Sequence, residues 1–356
     1  MKLRWFPHLA SFETPAARGP QDEGRVGWIA LFAALVFSAP APLCADEAFV
    51  ANQSGDSLTI VDLDTMTAAA ILPIGGKPAG VALSPDGARA YVTSPDGKFV
   101  TVVDAAQRKV ERRIAVAGSP LGIAVSPDGG RLYVTLTYER RLVEIDLAGG
   151  QQRELAAGAM VSGVAVTPDG KTLVVADRDD NALSLIDAAS FTRIAAIPTG
   201  QHPFGVTVSG DGRFAYAANV ESDDMSVVDL SARKVVATVP AGKRPYSIAL
   251  AQGRIFVADQ HGDCVTVLDG VTYAKIAEVA AGEYPDSIAA SPDGRTVYST
   301  AWFSNELYAI DAATLAVRKV ATGDGPRSFG LFVRGTLVDK PLGRASGAGK
   351  AAEKNR

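Results

Sequence analysis

Residues 91–104, YVTSPDGKFVTVVD, contain the pattern that decides the fold. An aromatic residue stands 13 positions before an aspartate, and a polar turn separates the two apolar runs between them. The spacing returns throughout the chain, from Phe49 and Asp62 to Tyr298 and Asp311. The repeated aspartates follow at intervals of 42, 42, 41, 42, 40 and 42 residues: Asp62, Asp104, Asp146, Asp187, Asp229, Asp269 and Asp311. A period of about 40 to 45 residues built from short β runs is typical of a propeller blade.

The pattern of each repeat predicts four short strands separated by turns that contain Gly and Pro. Residues 47–74 contain three strands of a repeat without its first, and residues 326–333, PRSFGLFV, contain a first strand alone. Joining the two would complete a seventh blade and remove an exposed sheet edge. We therefore predict an all-β, seven-bladed β-propeller with four-stranded antiparallel blades, closed by three N-terminal strands and one C-terminal strand.

Two repeated motifs are explained by turn chemistry. The repeated aspartates precede turns in patterns such as DLDT, where an Asp side chain accepts hydrogen bonds from backbone N–H groups two or three residues later. The [ST]-P-D-G tetrapeptides, as at residues 84–87, combine a Pro that presets the first turn dihedral with a Gly that accepts a positive φ. We expect these residues to be structural.

The repeats resemble those of the YVTN β-propeller proteins. The resemblance rests on YVTS at 91–94 and YVTL at 133–136, and it extends over residues 47–333. Gly-x-x-Pro elements add to it at 75–78, 200–203, 242–245, 282–285 and 323–326. The chain is most similar to the periplasmic group associated with PQQ-dependent catabolism. That resemblance implies a binding scaffold whose periplasmic protein partner is a redox enzyme or cytochrome. A quinoprotein with its own cofactor would resemble the eight-bladed quinone-dependent dehydrogenases with their Trp-bearing motifs, and seven blades with one Trp after residue 45 argue against it, so we expect no cofactor.

The chain divides into three predicted parts: an N-terminal extension and signal peptide (1–45), the propeller (46–333) and a basic, disordered tail (334–356). The apolar run at 26–39 is shorter than the ~20 residues that a membrane-spanning helix needs. An export signal cleaved near Ala45 fits it better. We therefore expect a periplasmic or secreted monomer with no transmembrane span after cleavage.

Charge and cysteine content restrict the partners further. Residues 46–333 contain 25 Lys/Arg and 34 Asp/Glu, a net charge of −9. Such an acidic body disfavours nucleic acid, whose binding depends on Lys/Arg neutralising phosphates. Cleavage would leave Cys264 as the single cysteine, so we expect no disulfide and a shielded thiol.

The loops predicted at one face of the propeller differ in residue type from blade to blade. Those leading into the first strands of blades one to three are bland, whereas those of blades four to seven are rich in aromatic and charged residues. Adjacent loops between second and third strands add more of the same types. The candidate site for a ligand or partner consists of His202, Phe204, Arg244, Tyr246, His261, Tyr284, Asp286, Trp302, Phe303 and Arg327. Aromatic side chains with a few polar groups commonly form binding sites. Because such loops carry few folding constraints, Phe204 and Tyr246 could instead simply pack between blades.

Two functions from different classes remain open. The first is a non-catalytic binding scaffold. The alternative is a propeller hydrolase or lactonase that acts on a small metabolite in the central channel, with His202, His261, Asp286 and Arg327 as the available groups. No compact motif supports a metal site at these residues together with Asp259, so we predict neither metal nor catalytic residues. The acidic loops at 177–180 and 221–224 lack the ordered spacing of a calcium loop.

Overall fold

The computed structural model describes residues 46–335, which form seven four-stranded antiparallel sheets. This confirms the predicted seven-bladed propeller. The first strands in chain order are β1 (Glu47–Asn52), β2 (Ser57–Asp62) and β3 (Thr67–Pro73) of blade seven. Blade one contains β4 (Val81–Leu83), β5 (Arg89–Ser94), β6 (Phe99–Asp104) and β7 (Lys109–Ala115). Blade two contains β8 (Pro120–Val125), β9 (Arg131–Leu136), β10 (Arg141–Asp146) and β11 (Gln152–Ala156).

The remaining blades repeat this order. Blade three contains β12 (Val161–Val166), β13 (Thr172–Asp177), β14 (Ala182–Asp187) and β15 (Thr192–Pro198). Blade four contains β16 (Pro203–Val208), β17 (Phe214–Asn219), β18 (Asp224–Asp229) and β19 (Lys234–Pro240). Blade five contains β20 (Pro245–Ala251), β21 (Arg254–Asp259), β22 (Cys264–Asp269) and β23 (Lys275–Ala280). Blade six contains β24 (Pro285–Ala290), β25 (Thr296–Ala301), β26 (Glu306–Asp311) and β27 (Val317–Ala321), and β28 (Val333–Arg334) follows it.

The ring closes as predicted, with the sheet order β28-β1-β2-β3. Before β28 the closing segment is irregular, but Pro326 already bridges to Asn52, and the Phe49 N–H donates to the Phe332 carbonyl over 2.8 Å. Arg334, the first residue of the expected tail, belongs to β28 and pairs with Glu47. The body therefore extends one residue beyond the boundary drawn from the sequence.

The central strands of each blade are buried because neighbouring blades pack against both of their faces. In β5 and β6 the middle residues are inaccessible, whereas β7 on the outside of the blade is mostly exposed and carries Lys and Arg. Buried Val, Leu, Ile and Ala from adjacent blades form shared clusters. This pattern makes the sheet-to-sheet contacts, rather than a single central core, the main source of stability.

The first strands approach one another closely around the central axis. A Cβ on Gly80 would lie 2.2 Å from the Leu121 carbonyl oxygen of the next blade, and one on Gly205 would lie 2.5 Å from that of Tyr246. Blades five to seven place serines at this position, and the Ser247 hydroxyl donates to the Asp286 carbonyl over 2.8 Å. The first strands are thus joined tightly at the centre of the ring.

The expected turn chemistry is present. The Thr65 N–H donates to Oδ1 of Asp62 over 2.8 Å, and this bond lowers the pKa of the Asp62 carboxyl. Gly87 adopts φ +68° in its S-P-D-G turn. Both motifs are therefore engaged in backbone turns.

The predicted signal peptide and most of the predicted tail lie outside the described residues. Within residues 46–335 the one helix is a 3₁₀ turn at Arg178–Asp180, and no helix there is long and apolar enough to cross a membrane.

Candidate functional site

The two sets of loops named in the sequence analysis share one face, which we call the upper face. Backbone hydrogen bonds hold each loop between second and third strands against the loop leading into the same blade. The Gln260 N–H donates to the Arg244 carbonyl over 3.0 Å, and the Trp302 N–H donates to the Tyr284 carbonyl over 3.0 Å. The candidate residues of blades four to seven are therefore neighbours.

A second set of bonds fixes the residue that precedes the first strand. His202, Arg244 and Tyr284 adopt positive φ values of 53°, 54° and 65°. Each of their N–H groups donates to an Asp or Asn side chain of the preceding blade, over 2.8 to 3.0 Å: Asn181, Asp223 and Asp263, respectively. Lys77, outside the candidate site, has the same arrangement with Asp56. The geometry thus belongs to the repeat, and the site uses it to orient side chains.

Three rings close the upper end of the central channel; we call them the aromatic plug: Phe204, Tyr246 and Phe329. The ring centroids of Phe204 and Tyr246 lie 4.0 Å apart, and those of Phe204 and Phe329 lie 4.9 Å apart. Blades four and seven stand on opposite sides of a seven-bladed ring, so the Phe204–Phe329 contact crosses the channel. Ala79 and Leu121 of blades one and two pack against the plug. Phe204 and Tyr246 therefore pack against each other between adjacent blades four and five, as the alternative in the sequence analysis allowed, and Phe204 also packs across the axis against Phe329.

An ion pair stands beside the plug. Asp286 is inaccessible, and its Oδ2 accepts a hydrogen bond of 2.8 Å from Nε of Arg327. The Arg327 guanidinium lies 4.2 Å from the centroid of the Trp302 ring and 5.1 Å from that of Phe329. Burial raises the pKa of the Asp286 carboxyl, although Arg327 opposes the rise. Burial acts to lower the pKa of Arg327 but is outweighed by Asp286, so the net shift is upward. Arg327 is thus a fixed cation stacked between two rings.

Tyr246 lies near this ion pair, since its ring and the Arg327 guanidinium both contact Phe329. Burial raises the pKa of Tyr246 to about 12, and the charges that act on the group are those of Arg327, Asp286, Arg178 and Tyr284. Arg178 comes from the 3₁₀ turn of blade three. The phenol is therefore neutral at physiological pH and available as a hydrogen-bond donor.

The outer part of the candidate site is more exposed. His261, Tyr284 and Phe303 form a row of rings with centroid distances of 5.5 and 5.1 Å, and Phe303 is 58% exposed. Nδ1 of His202 lies 3.1 Å from Oε1 of Glu221 without hydrogen-bond alignment, and Nη1 of Arg244 lies 3.3 Å from the same oxygen. An open depression of about 360 Å³ borders this row, lined by Glu221, Asp223, Lys243, Arg244 and His261.

The structure thus divides the candidate residues into two groups. Phe204, Tyr246, Asp286, Trp302 and Arg327 lie together at the channel. The remaining residues lie on the rim: His202, Arg244, His261, Tyr284 and Phe303. Because Phe204 and Asp286 are buried, they support neighbouring groups instead of contacting a partner.

Sequence reasoning missed Phe329 and Arg178. The sequence did distinguish Phe329. It stands at a position where the other blades have Val or Ile, as at Val81 and Ile248. Arg178 carried no signal, because its approach to Tyr246 depends on how blade three faces blade five. Gln53, whose Oε1 lies 3.5 Å from Nη1 of Arg327, was missed for the same reason.

The acidic residues considered as metal ligands in the sequence analysis accept hydrogen bonds from backbone N–H groups. Asp259 accepts hydrogen bonds from the N–H groups of Gly242 and Thr266, and Asp177 accepts one from that of Gly158. Among residues 46–335 no three His, Cys, Asp or Glu side chains converge as a metal site. Cys264 is partly exposed, not shielded as expected, but burial raises the pKa of its thiol to about 12, which makes it unreactive.

Two family models match parts of the chain. That of the YNCE-like beta-propeller matches residues 43–126, and that of the cytochrome D1 heme domain matches residues 168–261. No curated protein matches the chain. Each model covers less than half of the chain, so the matches support the propeller without assigning either family.

Solved structures are similar in fold. Kuenenia stuttgartiensis hydrazine synthase is 24% identical, with a TM-score of 0.65, and the match covers 71% of this chain and 89% of that chain. A functionally unknown protein from Desulfotomaculum acetoxidans DSM 771 is 15% identical, with a TM-score of 0.71 and coverages of 79% and 98%. Dihydro-heme d1 dehydrogenase NirN in complex with DHE is 19% identical, with a TM-score of 0.63 and coverages of 82% and 75%.

Proposed function

We propose that the chain is an exported, non-catalytic binding propeller whose upper face docks a periplasmic protein partner. The observation that carries this proposal is a row of rings that begins at His261, in the wall of a charged depression, and runs through Tyr284 to the 58% exposed ring of Phe303. Protein interfaces are centred on such aromatic anchors and are surrounded by polar groups.

The rim offers both signs of charge around these rings. Lys243 and Arg244 stand beside Glu221 and Asp223 in the depression. Mixed charge of this kind favours register and specificity over raw affinity. It suits a folded protein with a complementary patch better than a polyanion.

The comparisons support a redox protein as the partner. One family model is that of a heme domain, and two similar structures are named hydrazine synthase and dihydro-heme d1 dehydrogenase. Shared fold alone does not transfer a cofactor. The apolar run at 26–39 adds support for export, the compartment in which we place the partnership.

A heme of this chain's own does not fit the described channel mouth. Phe204 and Phe329 come from opposite blades and lie 4.9 Å apart, so the rings occupy the axis on which a macrocycle would lie. The same plug weakens the alternative of a hydrolase or lactonase with a substrate in the channel. His202 and His261, the histidines available for such chemistry, stand in rim loops.

Site-specific photocrosslinking tests the proposal. A photoreactive phenylalanine analogue replaces Phe303 in the exported chain, and crosslinks are captured in its own periplasm. We expect one discrete adduct that carries a redox cofactor. Tyr138, 71% exposed in the corresponding loop of blade two, is the matched control position on the same face.

Equal labelling from positions 303 and 138, or no adduct at 303, would contradict partner docking. The alternative has its own readout, which is hydrolysis of a lactone panel. Turnover that His202→Ala or His261→Ala abolishes would replace the scaffold with an enzyme.

A further inference from the structure

Three residues in and beside the aromatic plug carry hydrogen-bond donors without a partner among residues 46–335. Nε of Arg327 is held by Asp286 and Nη1 lies 3.5 Å from Gln53, but Nη2 has no partner within residues 46–335. The hydroxyls of Tyr246 and Tyr284 also have no hydrogen-bond partner among the described residues. The three residues are linked by shared neighbours. Tyr246 and Arg327 lie 5.7 and 5.1 Å from the centroid of the Phe329 ring, and Arg327 lies against Trp302, whose N–H donates to the Tyr284 carbonyl.

The surroundings fix these donors in place. Trp302 and Phe329 contact the guanidinium, and Phe204 packs against the Tyr246 ring. Arg327 keeps 18% of its side chain accessible to solvent. A guanidinium fixed by a buried carboxylate and by two rings is preorganised, so little entropy is lost when it binds.

The charge and hydrogen-bonding capacity of these side chains indicate the chemical class of the ligand. Arg327 and Arg178 supply positive charge, and the hydroxyls of Tyr246 and Tyr284 supply hydrogen-bond donors. Asp286 is inaccessible, and Arg327 and Ser287 donate to its two oxygens, so it presents no acceptor to a ligand. A planar, charged acceptor group matches the remaining N–H and O–H groups.

We infer that Arg327 and Tyr246 at the channel, together with Tyr284 on the adjoining rim and walled by Trp302, form a carboxylate-binding site where the channel meets the rim. This inference rests on the proposed function, since it assigns the ligand chemistry of the inner part of the same face. The carboxylate belongs either to a free organic acid or to the C-terminus of a partner peptide. Both sources present the same two oxygens to the same donors.

Trp302 provides the readout. It is the one tryptophan in residues 46–356, and it contacts the arginine of the site. The probes are acetate, succinate, a tripeptide with a free C-terminus and the same tripeptide amidated. We expect a saturable change in Trp302 fluorescence with the carboxylates and none with the amidated peptide. Tighter binding of succinate than of the tripeptide identifies a free acid as the source, and the reverse identifies a C-terminus.

The test variant is Tyr246→Phe, which keeps the plug and removes one hydroxyl. It should weaken carboxylate binding about tenfold, the value of a hydrogen bond to a charged group. The control is Arg89→Gln, which removes an exposed arginine that pairs with Glu111 outside the candidate site and should bind as the wild type does. Sulfate binding as tightly as the carboxylates, a response to the amidated peptide, or an unchanged Tyr246→Phe titration would overturn the inference.

The two proposals fail separately. If crosslinking at position 303 succeeds while the carboxylate titrations stay flat, the docking surface stands and the carboxylate site is wrong. If the titrations succeed while crosslinking gives no adduct, a small-molecule binding propeller replaces the protein scaffold.

Discussion

Asp259 is a buried carboxyl in a position that two other blades fill with asparagine. Asn219 and Asn52 stand at the same point of blades four and seven, and their Nδ2 groups donate to Ser226 and Thr59 over 2.9 and 2.8 Å. In blade five the corresponding hydroxyl, that of Thr266, has no partner. Burial raises the pKa of Asp259 from 3.8 to about 6, so ionising this carboxyl costs more in the folded state than in the unfolded chain.

Asp259→Asn should therefore stabilise the propeller at pH 8 relative to the wild type. The raised pKa means that the folded state binds the proton more tightly, so its contribution is largest below pH 3.8 and is lost as the pH rises through about 6. We expect the variant to gain roughly 1–3 kcal/mol at high pH and little near pH 4. Urea unfolding across this range measures the difference.

Asp269→Asn is the control, and the pH dependence of its effect on stability should have the opposite sign. Hydrogen bonds from Thr272 lower the pKa of this exposed turn carboxyl, so its stabilisation is lost as the pH falls below its usual range. A pH-independent difference between wild type and Asp259→Asn would refute the assignment of a raised pKa.

The lead-in loops show how the repeat orients site residues at the scale of one element. A positive φ is unfavourable for a residue with a side chain, and the preceding blade compensates with an Asp or Asn acceptor. At blade six the acceptor is Asp263, itself at φ 53°, which receives the Tyr284 N–H over 3.0 Å. Asp and Asn tolerate this backbone region better than other residues with side chains.

We expect Asp263→Ala to destabilise the fold by about 1–2 kcal/mol, because it removes this bond and places Ala in the left-handed region. It should also weaken carboxylate binding, since Tyr284 loses its support. Asp263→Asn should change neither property, because Asn181 and Asn305 already perform the same role elsewhere. Thermal unfolding and the Trp302 titration measure the two effects. A destabilised Asp263→Asn would show that charge, not the bond, matters.

The sequence predicted these elements well and their contacts across the channel poorly. Strands, turns and closure follow from local periodicity. The 13-residue spacing therefore located the second strand of each of the seven blades. The loops of blades four to seven were grouped correctly because ring order follows chain order. The Phe204–Phe329 contact escaped prediction because it joins opposite blades through an irregular segment, where Gly330 adopts φ +126°. Contacts between side chains of opposite blades cannot be deduced from the sequence of any single repeat.

At the scale of the whole molecule, a charged clamp holds the ends of the ring together. Glu47 is 1% exposed and lies between Arg334 and Arg108, the latter at 2.6 Å. Arg334 also donates to the Gly87 carbonyl over 2.8 Å and to the Ala105 carbonyl over 3.3 Å, both in blade one. One guanidinium thus joins the closing strand, β1 and the neighbouring blade.

Removing Arg334 should therefore loosen the ring at its seam. Arg334→Met leaves the buried Glu47 with a single, more exposed partner, and breaking a buried pair in this way costs about 3 kcal/mol. Arg89→Met, which breaks the exposed pair with Glu111, should cost at most about 1 kcal/mol. The double variant Glu47→Met/Arg334→Met should be more stable than Arg334→Met alone, because no orphan carboxylate remains. Thermal unfolding ranks the three variants, and hydrogen exchange of the β1 amides reports whether the seam opens first. A single variant no weaker than the double would mean that closure depends on the strand pairing of β28 and β1, not on the clamp.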